Sequence, residues 1–560
     1  MSWLTWTLII YYLLSGAALM PIFERAGRER WEALVPVYNM VVASEIVGRK
    51  RSFGWWMLFP VVNFFTFSYL MIDLARCFGR NSFWDHFAAT MLAPLYWTWL
   101  DRRKSNDPTP KWVKREKTSE TKAAVKTTEG IHFFGPVMSE ERAYRDRLRA
   151  ARKAGNKDQY KRLLKQDPFR PSASREWISS IIFAVFAAGF IRMFLFEAYM
   201  IPSSSMEGNL MTGDYLIVSK LHYGLRLPET VLTMPLTHNT MPVTGGKSYI
   251  DNPQLPHRRL PAIENIDRYD EVVFNVPNGD SVYIIPGRTY SAAQYERGDL
   301  PAEHAAMVSS GRVPLVTRPR DKRDHYVKRC VGLPGDSLQI IDRRIHINGE
   351  LMEDPKGLQY QYIVRFSRQP NTANWTKWGI SEEDVRQVDP SRTLMSLVLN
   401  QGQIDKLRGE DPDIQVDHIQ LTADPNSPAR LYPHFAPLSA SWTVDNFGPI
   451  YIPAAGSTIR LTMNNYHTYR RAITVYEGHD LELKGRQFYL DGEPVSNYTF
   501  EQDYYWLMGD NRHNSEDSRV WGFVPQDHIV GKPLLILFSL YEGKFSKGID
   551  WSRFFKWAGN

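Results

Sequence analysis

Tyr326-Val327-Lys328-Arg329-Cys330-Val331-Gly332-Leu333-Pro334-Gly335-Asp336 puts a lysine inside an apolar strand and ends that strand in a Gly-Leu-Pro-Gly-Asp turn. Leu338-Gln339-Ile340-Ile341 and Arg344-Ile345-His346-Ile347-Asn348-Gly349 follow at once. Short runs rich in β-branched and aromatic residues, punctuated by Pro-Gly, Gly-Asp and Asn-Gly, are the pattern of hairpins. Asp214-Tyr215-Leu216-Ile217-Val218 and Asp270-Glu271-Val272-Val273-Phe274-Asn275-Val276 read the same way. The expectation is a mainly β region of antiparallel, barrel-like sheets over 198–541, preceded by membrane α-helices. An internal echo supports hairpins: Leu338, Ile340, Ile347-Asn348-Gly349-Glu350 recurs as Leu481, Leu483, Leu490-Asp491-Gly492-Glu493.

A chain of 560 residues is too long for one ordinary core, so several units are expected. The formal charge is +7, and residues 101–175 carry about twice as many Lys and Arg as Asp and Glu. A basic run of mixed sign is a solvated or membrane-flanking tract, and nothing else resembles a nucleic-acid module, so no nucleic-acid partner is assigned. The two cysteines, Cys77 and Cys330, lie in segments expected at different membrane depths, which argues against a disulfide. No CxxC or HExxH spacing is present and the histidines are scattered, so neither metal nor cofactor is assigned.

Residues 3–23 carry no charge and match one membrane helix, with Arg25, Arg28 and Arg30 directly after them. That order places the N-terminus outside and reads as an uncleaved anchor. The segment 33–47 is short, contains Pro36 and is basic at both ends, which suits an interfacial position. Further spans are expected at 54–73 and 83–100, completing a membrane module over 1–100. A basic cytoplasmic linker follows at 101–175, with one charged helix over 140–165. The next anchor is 177–196, interrupted only by Arg192, which is near enough to the end to snorkel. Everything beyond 198 is then extracytoplasmic. The stretch 353–470 reads as an insertion, an added β-rich lobe. The tail 542–560 is aromatic and basic, with apolar groups at 551, 554, 555 and 558 that suit a short amphipathic helix on a membrane or packing on the β unit.

Just past the second anchor stands Ile201-Pro202-Ser203-Ser204-Ser205-Met206, and near the C-terminus Gly509-Asp510-Asn511-Arg512-His513-Asn514-Ser515-Glu516-Asp517-Ser518-Arg519. A serine hydroxyl needs a base within hydrogen-bond reach, and no His/Asp spacing offers one. A lysine serves if it is neutral, and apolar burial disfavours the ammonium. Lys328, between Val327 and Cys330-Val331, has the required company.

In this order, the anchor, the Ser203/Ser205-Met206 pair, the strand lysine and the Gly-Asp-Asn-Arg block closely resemble bacterial signal peptidase I, the leader peptidase family of membrane serine proteases. The resemblance runs over about 177–540. It implies Ser205 as nucleophile and Lys328 as general base, with the Ser205 N–H and the Ser203 hydroxyl as oxyanion hole. It implies Ser515 as the group orienting the lysine, Asp517 and Arg519 as a supporting ion pair, and Asp510 and Arg512 as structural. Tyr199, Ile201, Pro202, Met206, Leu210, Tyr326 and Val327 match positions that wall shallow pockets for small residues such as Ala. The implied activity is removal of signal peptides from secretory preproteins at the outer face of the bacterial cytoplasmic membrane, through an acyl-enzyme. The lipid bilayer is an expected partner and the translocation machinery a further candidate. Gly208-Asn209 stands where the family usually has Pro-Thr, and Ser204 where it has Gly. Two other readings compete: a catalytically silent scaffold or sorting receptor, which has no reason to hold Ser205, Lys328 and Ser515 together, and a self-cleaving repressor-type protease, which would need a DNA-binding module.

Overall fold

A computed structural model describes residues 3–558 except 59–61, 79, 81–82, 103–138, 168–172, 231, 235, 242–245, 278–280, 286–287, 372–374, 381–383, 390–392, 420 and 424–430. Two units are distinguished, 1–190 with 230–255, and 191–229 with 256–560.

In the first unit, helices Trp3–Arg25, Tyr38–Ile46, Val62–Cys77, Phe83–Met91 and Ala93–Arg102 enclose a core that includes Leu19, Ile22, Phe23, Val42, Leu70, Leu74 and Trp97. Among the described residues no helix is long and apolar enough to cross a membrane. The segment 3–23, expected as a span, falls on helix Trp3–Arg25, and the segment 177–196 falls on helix Ala173–Phe194 up to residue 194, with Phe196 already in a strand. The expected span 54–73 is divided between a 3-10 helix, Arg51–Leu58, and Val62–Cys77. The expected span 83–100 is cut at Leu92, where Pro94 can occupy the first turn of a new helix but not the interior of an old one. The segment 33–47, expected at a membrane interface, packs into the core of the first unit. Its helix Tyr38–Ile46 is buried on most sides, and Asn39 donates to the Ala33 carbonyl at 3.1 Å. The linker falls largely outside the described residues, and the single helix expected over 140–165 is two, Ser139–Lys153 and Lys157–Lys165, the second capped by Asn156.

The second unit is built on an antiparallel sheet with the strand order 196–200, 214–219, 529–539, 271–275, 325–332, 504–508, 524–525. The expected strands at 214–218 and 270–276 lie inside it. Alternation along 325–332 sends Val327 to one face, with Ile201, Met206, Leu216 and Val273. Tyr326 and Cys330 go to the other, with Phe274, Leu507 and Trp521. The lysine strand is therefore paired on both edges, with 271–275 and 504–508, and covered on both faces.

The echoed segments are two meanders of one design, 337–341/344–347/350–351 and 481–484/487–490/493–495. Both second turns use positive φ at consecutive residues, Asn348-Gly349 and Asp491-Gly492, as primed hairpin turns require. The expected insertion 353–470 is not one lobe. Residues 360–418 form a four-stranded sheet with two helices and their own core, including Val364, Trp375, Leu397 and Leu407. Phe447–Tyr451 instead pairs with 337–341, and Tyr432, Phe447, Tyr466 and Tyr469 join the meanders' core. A second excursion has no counterpart in the sequence expectations: over 281–317, strands 281–285, 288–291 and 315–317 and two short helices enclose Ile285, Tyr290, Leu300 and Val308.

Of the two readings of the tail, packing on the β unit is the one observed, and an amphipathic helix does not form. Lys556–Trp557 pairs with Leu535 and Ile536, and Arg553 makes two bonds to Asp214, of 2.8 and 2.6 Å. That buried ion pair and the strand pairing override the helical spacing.

Leu397 is fully buried in the inserted lobe. Leu397→Ala is expected to destabilise that lobe by about 2–5 kcal/mol, read as new protease cleavage between 357 and 418 under mild heating.

Candidate active site

Ile201 continues the first strand and exchanges backbone bonds with Asp214 and Gly213, both 2.9 Å. The chain then turns through the 3-10 segment Ser204–Met206, with Ser203 still extended. Met206, Leu210 and Ile201 are buried beneath this turn, so its serines face up from an apolar footing. The Ser203 hydroxyl lies 3.4 Å from the Ser205 hydroxyl.

Lys328 comes from the middle of its strand, and its Nζ donates to Ser205 Oγ across 123 residues of chain. The residue is 3% exposed. Burial pushes the ammonium down, while the carboxylates of Asp517, Glu516 and Asp510 pull the other way, leaving Lys328 at about 8 instead of 10.5.

The block 509–519 supports both groups. Asn511 N–H donates to the Ser205 carbonyl at 3.2 Å, its side chain to the Ser204 carbonyl at 3.3 Å, and Asn514 to Ser204 Oγ at 2.9 Å. A Cβ on Gly509 would overlap both Ser515 Oγ and the Ser205 carbonyl, so only glycine fits there. Ser515 Oγ is buried and makes no hydrogen bond among the described residues, so the contact expected with Lys328 is not formed. Asp517 and Arg519 form a buried two-pronged pair, 2.9 and 2.7 Å. Burial pushes the Asp517 carboxyl up, but Arg519, the Gly509 N–H and Lys328 together hold it below its ordinary value.

Asp510 is paired outside its own block. Arg329, next to the lysine, reaches it with two bonds of 2.7 and 2.6 Å and also bonds Glu271 at 3.2 Å. Arg512 N–H donates to the Gln359 carbonyl at 2.9 Å. Sequence reasoning missed Arg329, although an arginine inside an otherwise apolar strand must find an acid. Glu271 is pushed up to about 7, mainly by burial and against the opposing charge of Arg329.

The unusual Gly208-Asn209 has a structural cause. Gly208 has φ +101, and a Cβ there would collide with the Gly357 carbonyl at the root of the inserted lobe. Asn209 donates to Glu271. Of the expected pocket residues, Pro202 is exposed and Tyr199, Tyr326 and Val327 are half-buried. Tyr199 gives its hydroxyl to Glu197 at 2.7 Å. No His/Cys/Asp/Glu cluster able to hold a metal occurs among the described residues.

Residues 174–392 and 458–538, more than half of the chain, match the family model for signal peptidase, peptidase S26. Residues 31–107 match a family of unknown function, DUF5684. Signal peptidase I of Haemophilus influenzae is 26% identical over 415 residues, 74% of this chain and 83% of the relative. Signal peptidase I of Helicobacter pylori is 22% identical over 364 residues, 65% and 81% of the two chains. Signal peptidase I of Aquifex aeolicus is 52% identical over a shorter stretch of 42 residues, 8% of this chain and 16% of the relative.

Two outcomes are expected. Gly208→Ala adds both a clash and left-handed strain, and should cost roughly 1–3 kcal/mol in denaturant unfolding. Lys328 binds its proton less tightly folded (about 8) than unfolded (10.5), so it destabilises the fold below pH 8 and that penalty fades as pH rises to 10.5. Lys328→Met should therefore be more stable than the wild type at pH 7, with the gap narrowing by about 3 kcal/mol across that window.

Proposed function

The chain belongs to the signal peptidase family, peptidase S26, serine endopeptidases that remove signal peptides, and on that premise we propose that Ser205 is its nucleophile and Lys328 its general base. The observation that carries this reading is the hydrogen bond from a buried lysine to the serine hydroxyl. Near neutral pH a fraction of Lys328 is uncharged and accepts the Ser205 proton as Oγ attacks the scissile carbonyl. The oxyanion that forms is bound by the Ser205 N–H and the Ser203 hydroxyl, donors of a kind worth about 2.7–4 kcal/mol each. Collapse to the acyl-enzyme breaks the C–N bond, and the Lys328 ammonium returns the proton to the leaving amine. A water then attacks the ester, again losing its proton to Lys328, and Ser205 is regenerated.

Asp517 and Arg519 hold the loop that frames the lysine and carries Ser515. Tyr199, Ile201, Pro202, Met206, Leu210, Tyr326 and Val327 wall pockets suited to small side chains at the first and third positions before the cut. The substrates are secretory preproteins. The protein works in the bacterial cytoplasmic membrane as a multi-pass protein, with the peptidase region on the outer face and the translocation machinery within reach. The membrane placement is supported by the uncharged run 3–23, by the 177–196 segment, and by Leu58, Trp84 and Leu95, each more than half exposed on the N-terminal helices.

The test is cleavage of a preprotein carrying an Ala-x-Ala site by the detergent-solubilised protein. Wild type should cut after the second Ala, and Ser205→Ala and Lys328→Ala should each lose at least about 10³-fold in kcat while remaining folded. Full activity in either variant would refute the assigned dyad.

A further inference from the structure

Strands 271–275 and 325–332 pair directly, Asn275 opposite His325, yet almost fifty residues lie between them. That excursion, the 281–317 hairpin unit with its own small core, is not needed to bring the two strands together. It does reach the catalytic block at Glu516, between Ser515 and Asp517. Arg288 Nη2 bonds Glu516 Oε2 at 2.8 Å and Gln294 Nε2 bonds Oε1 at 2.5 Å. The glutamine is preset for this contact. Its Oε1 accepts from the Ser291 N–H at 2.8 Å and lies 3.2 Å from the Ser291 hydroxyl, which leaves the amide nitrogen to face Glu516.

The charges around Lys328 give the contact a purpose. Three carboxylates act on the lysine, Asp517, Glu516 and Asp510, with Arg519 opposing them. Unbalanced, they would hold it protonated and useless as a base. Asp517 is paired with Arg519 and Asp510 with Arg329, both from the sheet or the catalytic block. Glu516 has its guanidinium from the accessory hairpin. Both members of this pair also act on Tyr326, whose ring centre lies 5.9 Å from Lys328 Nζ. Asp299, which also acts on Glu516, is paired with Arg297 at 2.9 Å.

We propose that the accessory hairpin is a positioning element for the catalytic lysine: Arg288 and Gln294 fix and neutralise Glu516 so that its charge does not hold the Lys328 proton. The inference rests on Lys328 being the general base. Arg288 is about half exposed, so the pairing is screened by salt and the effect is one of tuning.

The test is the pH dependence of kcat/KM for preprotein cleavage at fixed ionic strength, using the full-length solubilised protein. Arg288→Met should move the acid limb up by about half to one pH unit, and Glu516→Gln should move it down by a similar amount, because a like or opposite charge near an ammonium shifts it in those directions. The double variant should fall between the two. A purely structural role would lower kcat without moving the midpoints, so limbs that stay with the wild type, or that move in the same direction, overturn the proposal. Lys328→Ala, run alongside, separates the two claims: if it is inactive while the limbs do not move, only the hairpin's role fails, whereas if it is active the base assignment itself fails.

Discussion

The proposed active site depends on one constraint: a lysine that is to serve as base must be dry enough to lose its proton near neutral pH and still touch a serine at the surface of the fold. Burying an ammonium is costly, and only a site with protein on every side can enforce it. The sheet supplies such a site. Lys328 sits opposite Val272, in a strand with partners on both edges and apolar clusters on both faces. Its tip alone emerges under Ser205.

The rest of the second unit brings distant pieces to that point. Strands from near residue 200, from 271–332 and from 504–539 interleave in one sheet, so the serine turn, the lysine and the 509–519 block become neighbours. Electrostatics then refines the site. The carboxylates that order the catalytic block would by themselves recharge the lysine, and each is matched by an arginine. The inserted lobe joins the same assembly at its root, where Gly357 meets Gly208 and the Gln359 backbone bonds Asp510 and Arg512.

The parts legible in the sequence were those where chemistry or backbone geometry restricts the choice of residue. Ser205 and Lys328 stood out through the order in which the anchor, the serine turn, the strand lysine and the Gly-Asp-Asn-Arg block follow one another, and the two meanders because Asn348-Gly349 and Asp491-Gly492 demand left-handed turns. What escaped was decided by tertiary contacts. For the tail the spacing at 551, 554, 555 and 558 left a membrane helix and packing on the β unit both open, and the contacts of Arg553 with Asp214 and of 556–557 with a strand edge decide for packing. The accessory hairpin's strands are only three to five residues long, too short for periodicity to register. Arg329 belongs to no motif that names a role, and only the fold brings it against Asp510. The break at Leu92 and the burial of 38–46 likewise reflect helix packing that hydropathy does not encode.

The central claim is that a neutral Lys328 is the base. The most direct measurement is the wild-type pH profile of kcat/KM, which reports ionisations of the free enzyme. The account predicts an acid limb with its midpoint near the Lys328 value of about 8, activity rising as the ammonium is lost. A limb governed by a group titrating at about 4, the range of an ordinary carboxylate, would contradict it.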